Sequence, residues 1–139
     1  MIRALIDPGV LIAASISPKG TPASLLQAWY GGAFELIVCP VLISELRRAF
    51  AYPKVLRRVA LEEAASLIRA LQAGAVQLQD PIEVPAVCRD PADDYLFTLA
   101  ADARAILISG DSQVLAVTGT GVRVVSPSSF ARLIEEAAT

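Results

Sequence analysis

The chain has no histidine. That absence excludes Ser/His/Asp and Cys/His nucleophilic catalysis, acid–base chemistry by imidazole, and the usual Cys/His zinc sites. Lysine occurs only as Lys19 and Lys54, and neither G-x-x-x-x-G-K-[ST] nor G-x-G-x-x-G is present, so nothing marks a nucleotide cradle. The two cysteines, Cys39 and Cys88, lie far apart and outside any CxxC spacing. They read as small core residues of a reducing compartment, not as a redox pair. No apolar run approaches the roughly 18 residues of a membrane span. The start MIRALID also lacks the basic segment, apolar core and cleavage site of a signal peptide. The expectation is a cytoplasmic protein with no membrane partner.

What remains for polar chemistry is carboxylates, arginines and hydroxyls. The 139 residues suit one domain with one core, 1–139. Apolar segments at Ile2 to Ile6, Phe34 to Val38, Ala75 to Leu78, Ala105 to Ser109 and Arg123 to Val125 read as strands. Helical patterns lie between them at about Pro22 to Tyr30, Val41 to Tyr52, Leu61 to Ala73, Ala92 to Ala103 and Pro127 to Ala137. This alternation predicts an α/β fold with a mostly parallel sheet covered on both faces by helices. Gln79 to Arg89, with Pro81 and Pro85, reads as a surface connection.

Four acids have no evident bland role, and each also has a structural reading. Asp7 ends the first strand in LIDPGVL, where Pro8 and Gly9 turn the backbone away, and Asp111 follows the strand AILIS. Both therefore fall at the carboxyl rim, where open parallel sheets bind ligands. Asp111 is equally placed to cap a following helix. Glu45, in CPVLISELRRAF, lies between the apolar arc and the basic face of its helix. It reads as a boundary residue or as a cleft acid. In CRDPADDYLFTLAADA, Asp90 before Pro91 reads as an N-cap and Asp93 as an acid favouring the helix dipole. Asp94, on the face of Phe97 and Ala101, is left pointing into packed or cleft-facing surroundings. Five of the twelve basic residues, Arg47, Arg48, Lys54, Arg57 and Arg58, fall within twelve positions without an acid among them. They form a solvated face or a shoulder for a polyanion.

In its order of motifs the chain resembles the PIN-domain nucleases, and in particular the single-domain VapC-like toxins of toxin–antitoxin systems. The resemblance covers nearly the whole chain. It rests on LIDPGVLIAA, the SPKG loop, CPVLISELRRAF with YPKV after it, RDPADDYLFTLA, and ISGDSQVL before VVSPSSF. It implies a three-layer α/β/α sandwich and a catalytic cluster of Asp7, Glu45, Asp94 and Asp111. Within that cluster Asp7, Asp94 and Asp111 would hold the metal and Glu45 would orient the attacking water, with Ser109 and Asp90 in support. Oxygen ligands of this kind select Mg²⁺ or Mn²⁺. The implied substrate is RNA, cut to a 5′-phosphate and a 3′-hydroxyl and held by Arg47, Arg48, Lys54, Arg57 and Arg58, with a cognate antitoxin as protein partner. Where that group usually reads Asp-Thr-Asn, this chain has Asp7-Pro8-Gly9, which removes two side-chain donors beside Asp7. The alternative is a degenerate PIN domain that binds protein or RNA without cutting. A dehalogenase-type phosphatase would need a second acid where Gly9 stands, and a receiver domain would need an acidic pair before its first helix. With 55% hydrophobic and 19% charged residues, a homodimer is expected.

Overall fold

The runs RALI, ELIV and ILI carry apolar side chains on both faces, the pattern of strands covered by helices on either side. In the computed structural model, which describes all 139 residues, they form β1 (Arg3–Ile6), β2 (Glu35–Val38) and β4 (Ile106–Ile108). Two-residue strands, β3 (Val76–Gln77) and β5 (Val124–Val125), close the edges, and edges this short offer little template for unwanted pairing. The order is β3-β2-β1-β4-β5 and every pairing is parallel. The chain builds outward from β1 to β2 and β3, then crosses back to β4 on the other side of β1. The direction of winding therefore reverses between β1 and β4, the position where open α/β sheets leave a crevice at their carboxyl ends.

Eight helices cover the sheet: α1 (Pro8–Ile16), α2 (Thr21–Tyr30), α3 (Pro40–Phe50), α4 (Pro53–Leu56), α5 (Leu61–Gly74), α6 (Asp94–Ala103), α7 (Ser112–Leu115) and α8 (Pro127–Ala138). Helix α1 packs on α2 and α3, α3 on α5, and α2 on α8, while α6 packs against β1 and β4. The result is a three-layer α/β/α sandwich around one cluster of 35 buried hydrophobic residues. Phe130 of α8 meets Phe34 edge-to-face at 5.0 Å between ring centroids, which fixes the last helix to the start of β2. No helix is long and apolar enough to cross a membrane.

Helix α1 was not expected from the sequence. Its apolar residues run almost all round, so no amphipathic period reveals it, and Pro8-Gly9 reads as a strand break. In the structure Asp7 is the N-cap, accepting from Gly9 N at 3.0 Å, and Pro8 occupies the first helical turn, where a missing N–H costs nothing. The single turns α4 and α7 also lay below the resolution of periodicity. The helix expected over Ala92 to Ala103 divides into a 3₁₀ turn, Pro91–Asp93, followed by α6. Segment 79–89 is irregular apart from isolated bends.

The N-terminus of α3 has Cys39 at the cap position, where no side-chain bond is made. Asp80, beyond β3, accepts from Val41 N at 2.9 Å and supplies the cap from 39 positions away. Removing a capping carboxylate costs about 1 kcal/mol. Asp80→Ala is accordingly expected to lower the thermal midpoint by about 4 °C, read by circular dichroism. An unchanged midpoint would show that α3 does not depend on this cap.

Candidate active site

Asp7 continues the β1 ladder, its N–H donating to Ile108 O at 2.9 Å, so the residue after β1 stands beside the residue after β4. That neighbour is Ser109, fully buried. Its hydroxyl donates to Asp7 Oδ2 at 2.8 Å and accepts from Asp111 N at 3.1 Å. With Gly9 N on Oδ1, both oxygens of Asp7 have a donor and the carboxylate is fixed without a side-chain donor from position 8 or 9. A Cβ at Gly9 would stand 3.6 Å from Asp7 Oδ1, an ordinary contact, so space does not demand the glycine.

Asp111 caps α7 through Gln113 N at 2.8 Å, and Asp90 caps the 3₁₀ turn through Ala92 N at 3.0 Å; both are exposed. Glu45, half-buried on α3, accepts from the Tyr95 hydroxyl at 3.0 Å. Burial raises its pKa above the ordinary carboxylate value. The Tyr95 bond and Arg48 oppose that rise, and the charges of Asp7 and Asp90 add to it.

The aspartate pair on α6 departs from expectation. Asp94 does point inward and is buried, and its Oδ1 is engaged by the 79–89 connection, accepting from Cys88 N at 2.7 Å and Val87 N at 3.1 Å. Those two donors hold its pKa below the ordinary value. Asp93 has no capping bond, and its pKa is pushed up to about 6, first by burial and then by repulsion from Asp7, Asp90, Asp111 and Glu45. The acid that senses the other four is Asp93. A continuous α-helix over this segment would have given Asp93 to the dipole and Asp94 to the cleft. The intervening 3₁₀ turn changes the phase, and the connection's N–H groups capture Asp94. Local sequence carries no signal of those distant donors. The charges of Asp7, Asp90, Asp111 and Glu45 thus all act on Asp93, while an oxygen of Asp94 is bonded to the connection.

All donors at the rim are carboxylate oxygens, the chemistry of a hard cation. No three of them converge at ligating distance. An ion here would be held directly by one or two carboxylates and reach the rest through water, as Mg²⁺ commonly is. Arg47, Arg48, Lys54, Arg57 and Arg58 are exposed on α3, α4 and the turn after α4. None has an acid within ion-pairing distance, the one ion pair of the chain being Arg3 with Glu35 at 3.8 Å. Burial pushes the Cys39 thiol up to about 11 and Cys88 to about 12, which leaves neither as a nucleophile.

The sequence model of the PIN domain matches residues 3–113. This chain belongs to the PIN domain family. Among curated proteins, the uncharacterized protein MJ1680 of Methanocaldococcus jannaschii is 25% identical over 116 residues, covering 84% of this PIN domain chain and 75% of the relative. Among solved structures, PAE2754 from Pyrobaculum aerophilum superposes with a TM-score of 0.66 at 18% identity, over 99% of this chain and 91% of that one. FitAcB from Neisseria gonorrhoeae gives 0.58 at 18%, over 90% and 98%. FitAB bound to the IR36 DNA fragment gives 0.59 at 19%, over 89% and 94%. At such identities these structures establish the PIN fold.

The raised pKa of Asp93 has a direct consequence for metal-free protein. A proton is held more tightly in the folded chain than in the unfolded one, so the associated stability is full below pH 3.8 and is lost as pH rises through about 6. Asp93→Asn removes that loss. The variant is expected to melt a few degrees above the natural chain at about pH 7 and level with it at about pH 3, measured calorimetrically without divalent ions. An equal difference at both pH values would contradict the assignment.

Proposed function

We propose that the chain is a divalent-metal-dependent endoribonuclease, the toxin of a toxin–antitoxin pair. What supports this reading is a rim of acids in which Ser109 joins Asp7 to Asp111, the charges of Asp7, Asp90, Asp111 and Glu45 raise the Asp93 pKa, and no ion pair reaches any of them. Asp7 and Asp93 would hold the ion, with Asp111 reached through water, and Asp93 replaces Asp94 in the set implied by the resemblance. A divalent cation there would neutralise charge on the phosphate and on the departing oxygen.

The chain's own groups have distinct tasks. Ser109 and Gly9 N keep Asp7 in place before any ligand arrives. Glu45 has its Oε2 occupied by Tyr95, which leaves Oε1 to orient water and take up its proton. The water oxygen attacks phosphorus, the bond from phosphorus to the 3′ oxygen breaks with its electron pair left on that oxygen, which takes a proton from solvent, and the products are a 5′-phosphate and a 3′-hydroxyl. The unpaired cations from Arg47 to Arg58 lie along α3 and α4, and Arg48 is close enough to lower the Glu45 pKa. They would hold the RNA backbone beside the acids.

An antitoxin partner belongs to the same proposal, supported by the resemblance and by the fold shared with FitAB, and so does the cytoplasmic setting expected from the sequence. A homodimer also belongs to it, supported by the exposure of Tyr52, Leu56 and Leu61, which fall close together in sequence from the end of α3 to the first residue of α5. The rival reading, a PIN fold kept as a binding module, draws on the absence of three carboxylates at ligating distance.

Cleavage of single-stranded RNA decides between them. The natural chain is expected to cut faster with Mn²⁺, which tolerates imperfect geometry, than with Mg²⁺. Asp7→Asn and Asp93→Asn should each lose about 100-fold or more in rate, while Asp94→Asn stays within about tenfold of the natural chain and melts at a lower temperature. Loss with Asp94→Asn and retention with Asp93→Asn would reverse the assignment. No cleavage under any of these conditions would leave the binding module.

The basic shoulder has its own test. Exchanging Arg57 and Arg58 together for glutamate should raise KM for RNA about tenfold with kcat unchanged, and flatten the dependence of affinity on salt. A fall in kcat alone would place those residues elsewhere.

A further inference from the structure

Glu45 is the one rim acid whose only hydrogen bond comes from a side chain on another element. Tyr95 lies in the first turn of α6 and is 8% exposed, and its hydroxyl donates to Glu45 Oε2 at 3.0 Å across 50 positions of sequence. No other hydrogen bond and no ion pair fixes Glu45. A half-buried glutamate retains several rotamers, and fixing one of them is entropically costly. A packed aromatic ring with two torsions is a rigid donor by comparison.

We infer that Tyr95 is a positioning residue, whose hydroxyl holds Glu45 in one orientation with Oε1 turned to the cleft. The competing explanation is that Glu45 merely satisfies a buried phenol. The two differ in which partner depends on the other: a positioning role makes the conformation of Glu45 depend on Tyr95, while simple satisfaction does not. The pairing also explains how an acid on α3, in one helical layer, keeps register with acids presented by α6 in the other. Without the bond, Glu45 would be tethered to the rim only through its own flexible side chain.

The inference rests on the nuclease reading for its kinetic arm and not for its structural one. Tyr95→Phe keeps the ring and removes the donor, so the fold should survive with a thermal midpoint within a few degrees of the natural chain. In metal-free protein with isotope-labelled glutamate, side-chain NMR couplings of Glu45 should report one rotamer in the natural chain and averaging in Tyr95→Phe. With RNA, kcat should fall about 10- to 100-fold in Tyr95→Phe while KM changes less than about twofold. Placed on Glu45→Gln, the same change should cause no further loss, because the group it positions is already disabled. A Glu45 that keeps its single rotamer in Tyr95→Phe overturns the inference whatever the kinetics. Averaging without a fall in kcat in a cleaving enzyme overturns it as well. Averaging in a chain that cleaves no RNA supports the positioning and defeats the nuclease reading alone.

Discussion

Carboxylates gathered at one rim without an ion pair to any of them repel one another, and this repulsion sets the electrostatics of the sheet's rim. Each acid sits on a different rigid element, so none can relax far from the others: Asp7 ends β1, Asp111 follows β4, Glu45 rides α3 and Asp93 opens α6. Asp93 bears the largest effect, its pKa pushed up to about 6 by burial and by four neighbouring charges. A fold that holds such an arrangement gives up some stability at neutral pH, a common feature of sites kept for function. The same repulsion is what a bound divalent ion would relieve, so the site's instability and its proposed cofactor follow from one cause.

Two buried hydroxyls keep this crowd in order. Ser109 donates to Asp7 and receives the N–H of Asp111, joining the two acids that follow β1 and β4 where the sheet changes its direction of winding. Tyr95 does the corresponding task for Glu45 between the two helical layers. Donors absent from Pro8 and Gly9 are thereby supplied by a serine 102 positions away and by a backbone N–H. The unusual Asp-Pro-Gly start is therefore no loss of local order. Pro8 opens α1 and leaves Asp7 as its cap.

The architecture was legible because its signals are local. Apolar runs on RALI, ELIV and ILI, separated by helical periods, specify a covered parallel sheet, and strand ends specify where Asp7 and Asp111 fall. Features that failed to show were of two kinds. Helix α1 is apolar nearly all round and begins with Pro-Gly, so it lacks the amphipathic pattern that reveals α3 or α5. The proposed exchange of Asp93 for Asp94 draws on a 3₁₀ turn of three residues and on N–H groups of Val87 and Cys88 in an irregular connection. Adjacent aspartates differ by about 100 degrees on a helix, so a small change of phase decides which of them meets solvent and which meets backbone. Nothing local in the sequence singles out Tyr95, because its partner lies on a different helix.

Calorimetric titration of Mn²⁺ tests the central claim, that the cleft is a cation site built with Asp93 and not Asp94. The account predicts binding by the natural chain, preserved binding by Asp94→Asn, and affinity about 10-fold or more weaker in Asp93→Asn. Binding that survives in Asp93→Asn but disappears in Asp94→Asn, or that is absent from the natural chain, would contradict it.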